Sequence, residues 1–336
     1  MHTLIAPLDW GLGHAARSLA LARRLAAQGD RISWAGSGPA AAMLARELPG
    51  EAEIHPLPPY EVRYATRSMV WNVARQLYHW QQTIRAERRA TERLVTALRP
   101  DRIISDSRFG CYDRRVQSIF LTHQLHPITG FAPATRLYRW QLKRFDAFWV
   151  PDDAAPNRLS GKLSAPSGYR EVEFIGPLPH IAAAEGEPAY DLLALLSGPE
   201  PMRTRLEDIL LPQLGALPLA VRLVRGLPRP ADTAATLPRE PTPNLPYADT
   251  PTLSRLLTAA RCVVARPGYS TLMDLRALGK PAILIPTPGQ TEQAYLAQRA
   301  QLQGWAVAVM NQDQLDLPAA IRQLQQRTNL ALSGPV

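Results

Sequence analysis

Three short stretches combine residue types suited to chemistry on a phosphorylated ligand. The first is Gly11-Leu12-Gly13-His14-Ala15-Ala16-Arg17, directly after the apolar run 3–7. Glycine lets backbone N–H groups approach a ligand closely, and a helix N-terminus favours negative charge. A histidine in such a loop can take a proton from a hydroxyl near neutral pH. The plain alternative is a capping or packing histidine. The third glycine of a dinucleotide fingerprint is absent. The second stretch runs from Ala265 and Arg266 through Gly268, Ser270 and Thr271 to Asp274. Gly268 and the helix start suit phosphate, the two hydroxyls suit hydrogen bonding, and Asp274 suits the hydroxyls of a ribose. Its plain reading is a favourable charge near a helix dipole. The third holds Pro286, Gln290, Thr291, Glu292 and Gln293. Glu292 and Gln293 could bond sugar hydroxyls, or the stretch is an ordinary loop with Thr291 as N-cap.

Each stretch follows a short apolar run and opens a segment of helical periodicity. Residues 3–7, 15–27 and 31–35 read as strand, helix and strand, a βαβ unit that calls for a parallel sheet. Residues 68–98 contain neither Gly nor Pro, and Val70, Val73, Leu77, Trp80, Ile84, Leu94 and Leu98 fall near one helical stripe, the mark of a core-facing helix. Further strands are read at 102–105, 118–121 and 147–150. Asp106 and His123 stand just past two of them, able to orient an acceptor, assist His14, or simply shape loops. A Pro-, Gly- and Ser-rich linker, 151–188, carries an apolar island at 172–178. Beyond it the alternation restarts: strand 192–196, helix 203–214, strand 220–224, a proline-rich surface excursion at 228–251, helix 252–260, strand 262–265, helix 270–278, strand 281–285, helix 292–303 and strand 306–309. The domains are read as 1–180 and 181–336.

Composition narrows the class. With 46% hydrophobic and 20% charged residues, 336 residues suffice for two globular domains. The start is too short an apolar run for a secretion signal, and no run could span a bilayer, so the expectation is a cytoplasmic protein. The two cysteines, Cys111 and Cys262, fit neither a disulfide framework nor a metal cluster. The net charge of +9 suits an anionic partner or reflects an arginine-rich proteome. Nucleic acid is disfavoured: there is no zinc module, basic helix or aromatic RNA-binding motif. Trp71, Arg75 and Tyr78, beside Arg67 and Arg85, could rest on an anionic membrane face or form a solvated flank.

The second and third stretches, at this spacing, resemble the C-terminal domain of glycosyltransferase family 28, and the Gly-x-Gly-His loop resembles the acceptor-side loop of the same enzymes. The resemblance implies an α/β chain of GT-B fold, with two Rossmann-like domains facing each other across a cleft. It implies inverting hexosyl transfer from a nucleotide diphospho-sugar, uridine in the donor, and no metal or other cofactor. It leaves the acceptor open, lipid-linked at the inner membrane face or a small molecule. It places Asp274 on the ribose, Glu292 and Gln293 on the donor sugar, and Ser197 and Gly198 by the diphosphate. Arg203 would supply charge there, because Pro199 and Pro201 remove N–H donors from a loop that is glycine-rich in the family. Ala294 replaces a second glutamine, and Asp9-Trp10 replaces small residues. Gly11, Gly13, Arg17 and His123 would shape the acceptor side, with His14 and Asp106 catalytic. The pattern from Gly11 to Arg17 also resembles a GT-B-like hydrolase that removes UDP from an amino sugar, where His14 would activate water. A nucleotide-sugar-binding protein without transfer is the remaining alternative.

Overall fold

The computed structural model describes residues 1–9, 12–48, 53–60, 69–129, 132–227 and 244–334, and of residues 12, 69–79 and 132 the backbone alone. Trp10, Gly11, Arg67, the side chains of Trp71, Arg75 and Tyr78, and positions 228–243 of the proline-rich excursion lie outside that description. The chain divides into two compact units, Met1–His180 and Ile181–Val336.

The first unit contains β1 (His2–Pro7), α1 (Leu12–Ala27), β2 (Arg31–Gly36), α2 (Gly38–Glu47), β3 (Ile54–Pro56), α3 (Met69–Leu98), β4 (Arg102–Asp106), β5 (Gln117–Leu121), α4 (Ala132–Leu142), β6 (Ala147–Val150) and β7 (Val172–Phe174). Its seven strands are all parallel, in the order β3-β2-β1-β4-β5-β6-β7. Parallel strands buried on both faces need apolar side chains at successive positions. Leu4 and Ile103 pack on one face with Ala90 and Val95 of α3. Ile5 and Ile104 pack on the other with Leu19 and Ala22 of α1 and Leu44 of α2. The apolar island read inside a linker is in part β7, an edge strand paired with β6. Its three residues carry no strand signal of their own.

The second unit contains β8 (Tyr190–Leu195), α5 (Met202–Ala216), β9 (Val221–Val224), β10 (Asn244–Leu245), α6 (Thr250–Ala259), β11 (Ala260–Ala265), α7 (Tyr269–Ala277), β12 (Ala282–Leu284), α8 (Thr291–Leu302), β13 (Ala306–Ala308) and α9 (Leu317–Thr328). Its six strands are also parallel, in the order β10-β9-β8-β11-β12-β13. Leu192, Ala194, Val264 and Ile283 meet Leu206 and Leu210 of α5 and Ile321 and Leu324 of α9 in one core. Asp249 and Asp316 cap α6 and α9 by accepting backbone N–H bonds from Thr252 and Ala319, each at 2.9 Å. Thr291 is not a cap; it is the first helical residue of α8, and Gln290 precedes it without a side-chain capping bond.

In both sheets the order reverses once, between β1 and β4 and between β8 and β11. Open α/β sheets bind ligands outside the carboxyl ends of the strands at such a reversal. Three of the segments singled out in the sequence follow β1, β8 and β11 directly.

Candidate functional site

In the first unit, α1 starts at Leu12, so Gly13 and His14 belong to its first turn and not to a preceding loop. His14, Arg17 and Ser18 are spaced i, i+3, i+4 and therefore share one helix face. That face meets Asp106, the last residue of β4. Nδ1 of His14 lies 2.8 Å from Oδ1 of Asp106. Arg17 donates from Nε to Asp106 Oδ2 at 2.8 Å and from Nη2 to Oδ1. Ser18 donates its hydroxyl to Oδ2 at 2.9 Å. Arg17 also reaches Nδ1 of His123 at 3.1 Å, Nδ1 of His14 at 3.0 Å and Oγ of Ser107 at 3.3 Å. Four residues named separately in the sequence, His14, Arg17, Asp106 and His123, are thus one cluster. It stands at the carboxyl ends of β1 and β4, tied together by the Leu8 N–H bond to the Asp106 carbonyl at 3.0 Å.

Burial and charge set the state of the cluster. Asp106 is fully buried, which alone would push its carboxyl up. The charge of Arg17 and the hydrogen bonds from Arg17 and His14 outweigh that and hold it well below the usual carboxylate range. Asp106 is therefore an acceptor at every working pH. The side chain of His14 keeps 20% of its surface exposed. Its Nδ1 is the nitrogen that faces the buried carboxylate.

Beside this cluster lies a second buried network that carried no motif. Arg108, wholly buried, donates to the Pro7 carbonyl at 2.8 Å, to Glu87 Oε1 at 2.6 Å and to Ser37 Oγ at 2.6 Å. Glu87 Oε2 accepts the Tyr60 hydroxyl at 2.7 Å and the Gly110 N–H at 3.1 Å. Asp9 Oδ2 accepts from Ser37 Oγ at 2.8 Å and from the Tyr60 N–H at 3.0 Å. The network fixes the chain after β1 and β4, on which His14 and Asp106 depend. Its sequence signal is faint: an acid inside an apolar helical stripe and an arginine two residues past a strand.

In the second unit, the segments after β8, β11 and β12 are each placed at a strand end. Gly198 has φ +105°, a conformation that L side chains rarely adopt, and a Cβ there would lie 3.8 Å from the Thr287 hydroxyl. That hydroxyl is buried without a hydrogen-bond partner. Ser197 and Gly198 are exposed, and Gly268 is the N-cap of α7 with Ser270 and Thr271 in its first turn. Gln293 accepts the Thr287 N–H through Oε1 at 2.8 Å, which leaves its amide nitrogen on the other side. Glu292, also in the first turn of α8, is half-buried.

Two readings change here, and a third residue gains a partner. Arg266 does not aim a charge at a ligand. Its guanidinium is buried and donates to the carbonyls of Ile285 at 3.0 Å, Pro286 at 2.8 Å and Met202 at 3.0 Å, and to Oε1 of Gln312 at 2.7 Å. It clamps three loops, and burial lowers its pKa to about 10. Arg203 does not offset the two prolines of the 197–201 loop with free charge. It pairs with Glu200 and Glu207 and donates to the Arg225 carbonyl at 3.1 Å. Asp274 is buried in α7 and accepts the Ile181 N–H through Oδ1 at 3.1 Å. Among the described residues no group of three or more His, Cys, Asp or Glu could hold a metal ion.

Residues 240–332 match the glycosyltransferase family 28 C-terminal domain. The UDP-N-acetylglucosamine–N-acetylmuramyl-(pentapeptide) pyrophosphoryl-undecaprenol N-acetylglucosamine transferase of Methylorubrum populi is 32% identical over 161 residues, 46% of this chain and 42% of that protein. Its namesake in Methylorubrum extorquens is 48% identical over 46 residues, 14% of this chain and 12% of that one. The chain thus aligns with less than half the length of these curated relatives. Among solved structures, the glycotransferase of kitacinnamycin superposes with a TM-score of 0.63 at 18% identity, covering 98% of this chain and 91% of that one. MurG of Acinetobacter baumannii gives 0.56 at 15% identity, covering 98% and 92%. At these identities the likeness to solved structures is one of fold. This chain has the GT-B fold, and residues 240–332 of its second unit match the C-terminal domain model of glycosyltransferase family 28.

Proposed function

We propose that the protein is an inverting glycosyltransferase that moves a sugar from a nucleotide diphospho-sugar to an acceptor hydroxyl. The observation that carries this reading is the His14–Asp106 pair at the strand-order reversal of the first sheet. Asp106, held ionised, accepts from Nδ1–H of His14 and leaves Nε2 as the basic nitrogen. The acceptor O–H bond breaks, its proton goes to Nε2, and the oxygen bonds to the anomeric carbon. The bond from that carbon to the diphosphate breaks with its electron pair, and the nucleoside diphosphate leaves.

The first unit then serves the acceptor and the second the donor. Supporting the donor role are the exposed Ser197-Gly198 loop, the unpartnered Thr287 hydroxyl beside it, and the N-termini of α7 and α8, where N–H groups favour developing negative charge. Gln293 and Glu292 suit the sugar, and the Asp274 carboxylate on α7 suits a ribose hydroxyl. Curated relatives named for transfer from UDP-N-acetylglucosamine favour a uridine donor. The same names specify a lipid-linked acceptor, and for this chain that remains a proposal to test.

A thermal-shift series with nucleoside diphosphates tests the ligand class, because a ligand bound only by the folded state raises apparent stability. UDP is expected to raise the unfolding temperature; no shift with any nucleoside diphosphate overturns the reading. A second reading has its own support: Arg17, the distinctive residue of the hydrolase-like pattern, is a full member of the cluster. In that case His14 activates water, and free sugar is released at a steady rate without acceptor. Acceptor-dependent release of UDP distinguishes transfer.

Contact with an anionic membrane face is part of the proposal. It rests on exposed Arg85, Arg89 and Arg93, stacked at i, i+4 along α3, where like charges repel. Arg88, Arg89, Arg93, Arg114 and Arg115 line a groove of about 770 Å³ together with Glu92 and Asp113. The two acids pair with Arg88 and Arg115 and leave Arg89, Arg93 and Arg114 as its net positive charge. Trp140 on the same unit is 51% exposed with Arg144 4.1 Å over its ring. No helix among the described residues is long and apolar enough to cross a membrane. Co-sedimentation with phosphatidylglycerol vesicles at low salt is expected; absence of binding there removes this element.

A further inference from the structure

The His14–Asp106 pair differs from a simple histidine–carboxylate pair, because its carboxylate is already neutralised. Arg17 grips both Asp106 oxygens, and Ser18 adds a third donor. The same Arg17 Nη2 stands 3.0 Å from Nδ1 of His14, the nitrogen that faces Asp106 at 2.8 Å. One ring nitrogen thus faces an acceptor and a cation together. A neutral ring satisfies one or the other through its two tautomers. A protonated ring would sit beside a guanidinium that never gives up its charge, with only a shared carboxylate in return. Arg17 is 2% exposed, so water and salt screen little of that repulsion.

We propose that Arg17 is a positioning residue that keeps the His14 ring neutral between turnovers, so that its outward nitrogen is open to a proton and gives it up readily. This rests on the reading of His14 as the base. In the neutral tautomer that acts as base, Nδ1–H already donates to Asp106 Oδ1, the Arg17 Nη2 hydrogen nearest it is turned to Ser107 Oγ, 3.3 Å away, and Nε2 is bare. The acceptor O–H bond breaks, its proton goes to Nε2, and the ring becomes a cation beside Arg17. Ser107 is held for this with φ +63°, immediately after Asp106. Arg17 also donates to Nδ1 of His123, so that nitrogen accepts and carries no proton. The charged groups bonded to the ring are Arg17 on its own helix and Asp106 at the end of β4. His123, after β5, lies on the far side of Arg17. Asp9, at the end of β1, is turned to Ser37 and Tyr60.

Long-range 1H–15N spectra of protein labelled at its seven histidines test this without substrate. The signal absent from His14→Gln identifies the ring. In the wild type, His14 is expected in a neutral form at pH 7; a charged ring there overturns the inference. In Arg17→Met, Asp106 is left as an unopposed carboxylate, and the His14 titration midpoint is expected to rise by about 1–3 pH units. Arg17→Lys, which keeps a charge, is expected to shift it by less. An unmoved midpoint in folded Arg17→Met overturns the inference. If His14→Ala loses transfer while that midpoint stays fixed, only the role of Arg17 falls. If His14→Ala keeps full transfer, the base reading falls and takes this inference with it.

Discussion

His14 does its proposed work through atoms it does not own. Removing the imidazole in His14→Ala is expected to lower turnover about 10²–10⁴-fold, the usual range for a positioned acid or base. The UDP-induced thermal shift should survive, because the donor residues lie in the second unit. Steady-state rates and thermal shift on one preparation check both. Asp106 carries a different prediction. Its folded pKa is depressed, so its contribution to stability is present above the unfolded value of about 4 and is lost as pH falls through the folded one. Asp106→Asn leaves Arg17 buried without its partner. It is expected to cost about 3–5 kcal/mol near pH 7, with the gap to wild type narrowing below about pH 4. Urea unfolding at pH 7 and at pH 3 measures it; an equal gap at both would contradict the assignment.

At the scale of elements, α1 brings His14, Arg17 and Ser18 to one place, the chain after β5 brings His123, and β4 ends on Asp106 and leads into the chain beyond it. That chain presses on α3 at Gly110. A Cβ at Gly110 would sit 2.4 Å from both the Ile84 carbonyl and the Glu87 Cβ. Gly110→Ala is therefore expected to destabilise the first unit by about 1–3 kcal/mol through overpacking, and to weaken the Glu87 bond to the Gly110 N–H. Chemical denaturation followed by tryptophan fluorescence reads this out.

Much of this scale was legible in the sequence, for a physical reason. A central parallel strand such as Leu192–Leu195 or Cys262–Ala265 must be apolar nearly throughout, and a helix such as α3 repeats its apolar face over thirty residues. The short edge strands β3, β7 and β10 were not legible. Their two or three residues are strands only because a neighbour pairs with them. At the site, the residue types were readable and their coupling was not. His14 and Asp106 stand 92 positions apart, and no local pattern reports that they touch. Arg266 and Arg203 show the converse: a sequence gives the sign of a charge and not the direction in which it points.

Over the whole molecule, the two units have separate sheets and separate cores. Each holds one buried cysteine, Cys111 in the first and Cys262 in the second. Burial raises both thiols, that of Cys262 to about 12. Neither is expected to react with a maleimide in native protein at pH 8, and both should react in denaturant. Mass mapping along a urea series then reports each unit through its own thiol. Labelling of either in the native state would contradict this packing.

The separation of the cores has a further consequence for how such a chain can change over generations. Neither sheet borrows a strand from the other unit, so substitutions that remodel the loops after β1, β4 and β5 leave the interior behind β8 and β11 untouched. With the division of roles proposed above, acceptor choice and donor choice would be inherited as separable traits. On this view, a lineage could retain the unit that contains the family 28 match nearly intact while the other unit drifts toward a new recipient. Recombination near residue 180 would be the natural place to join halves of different ancestry.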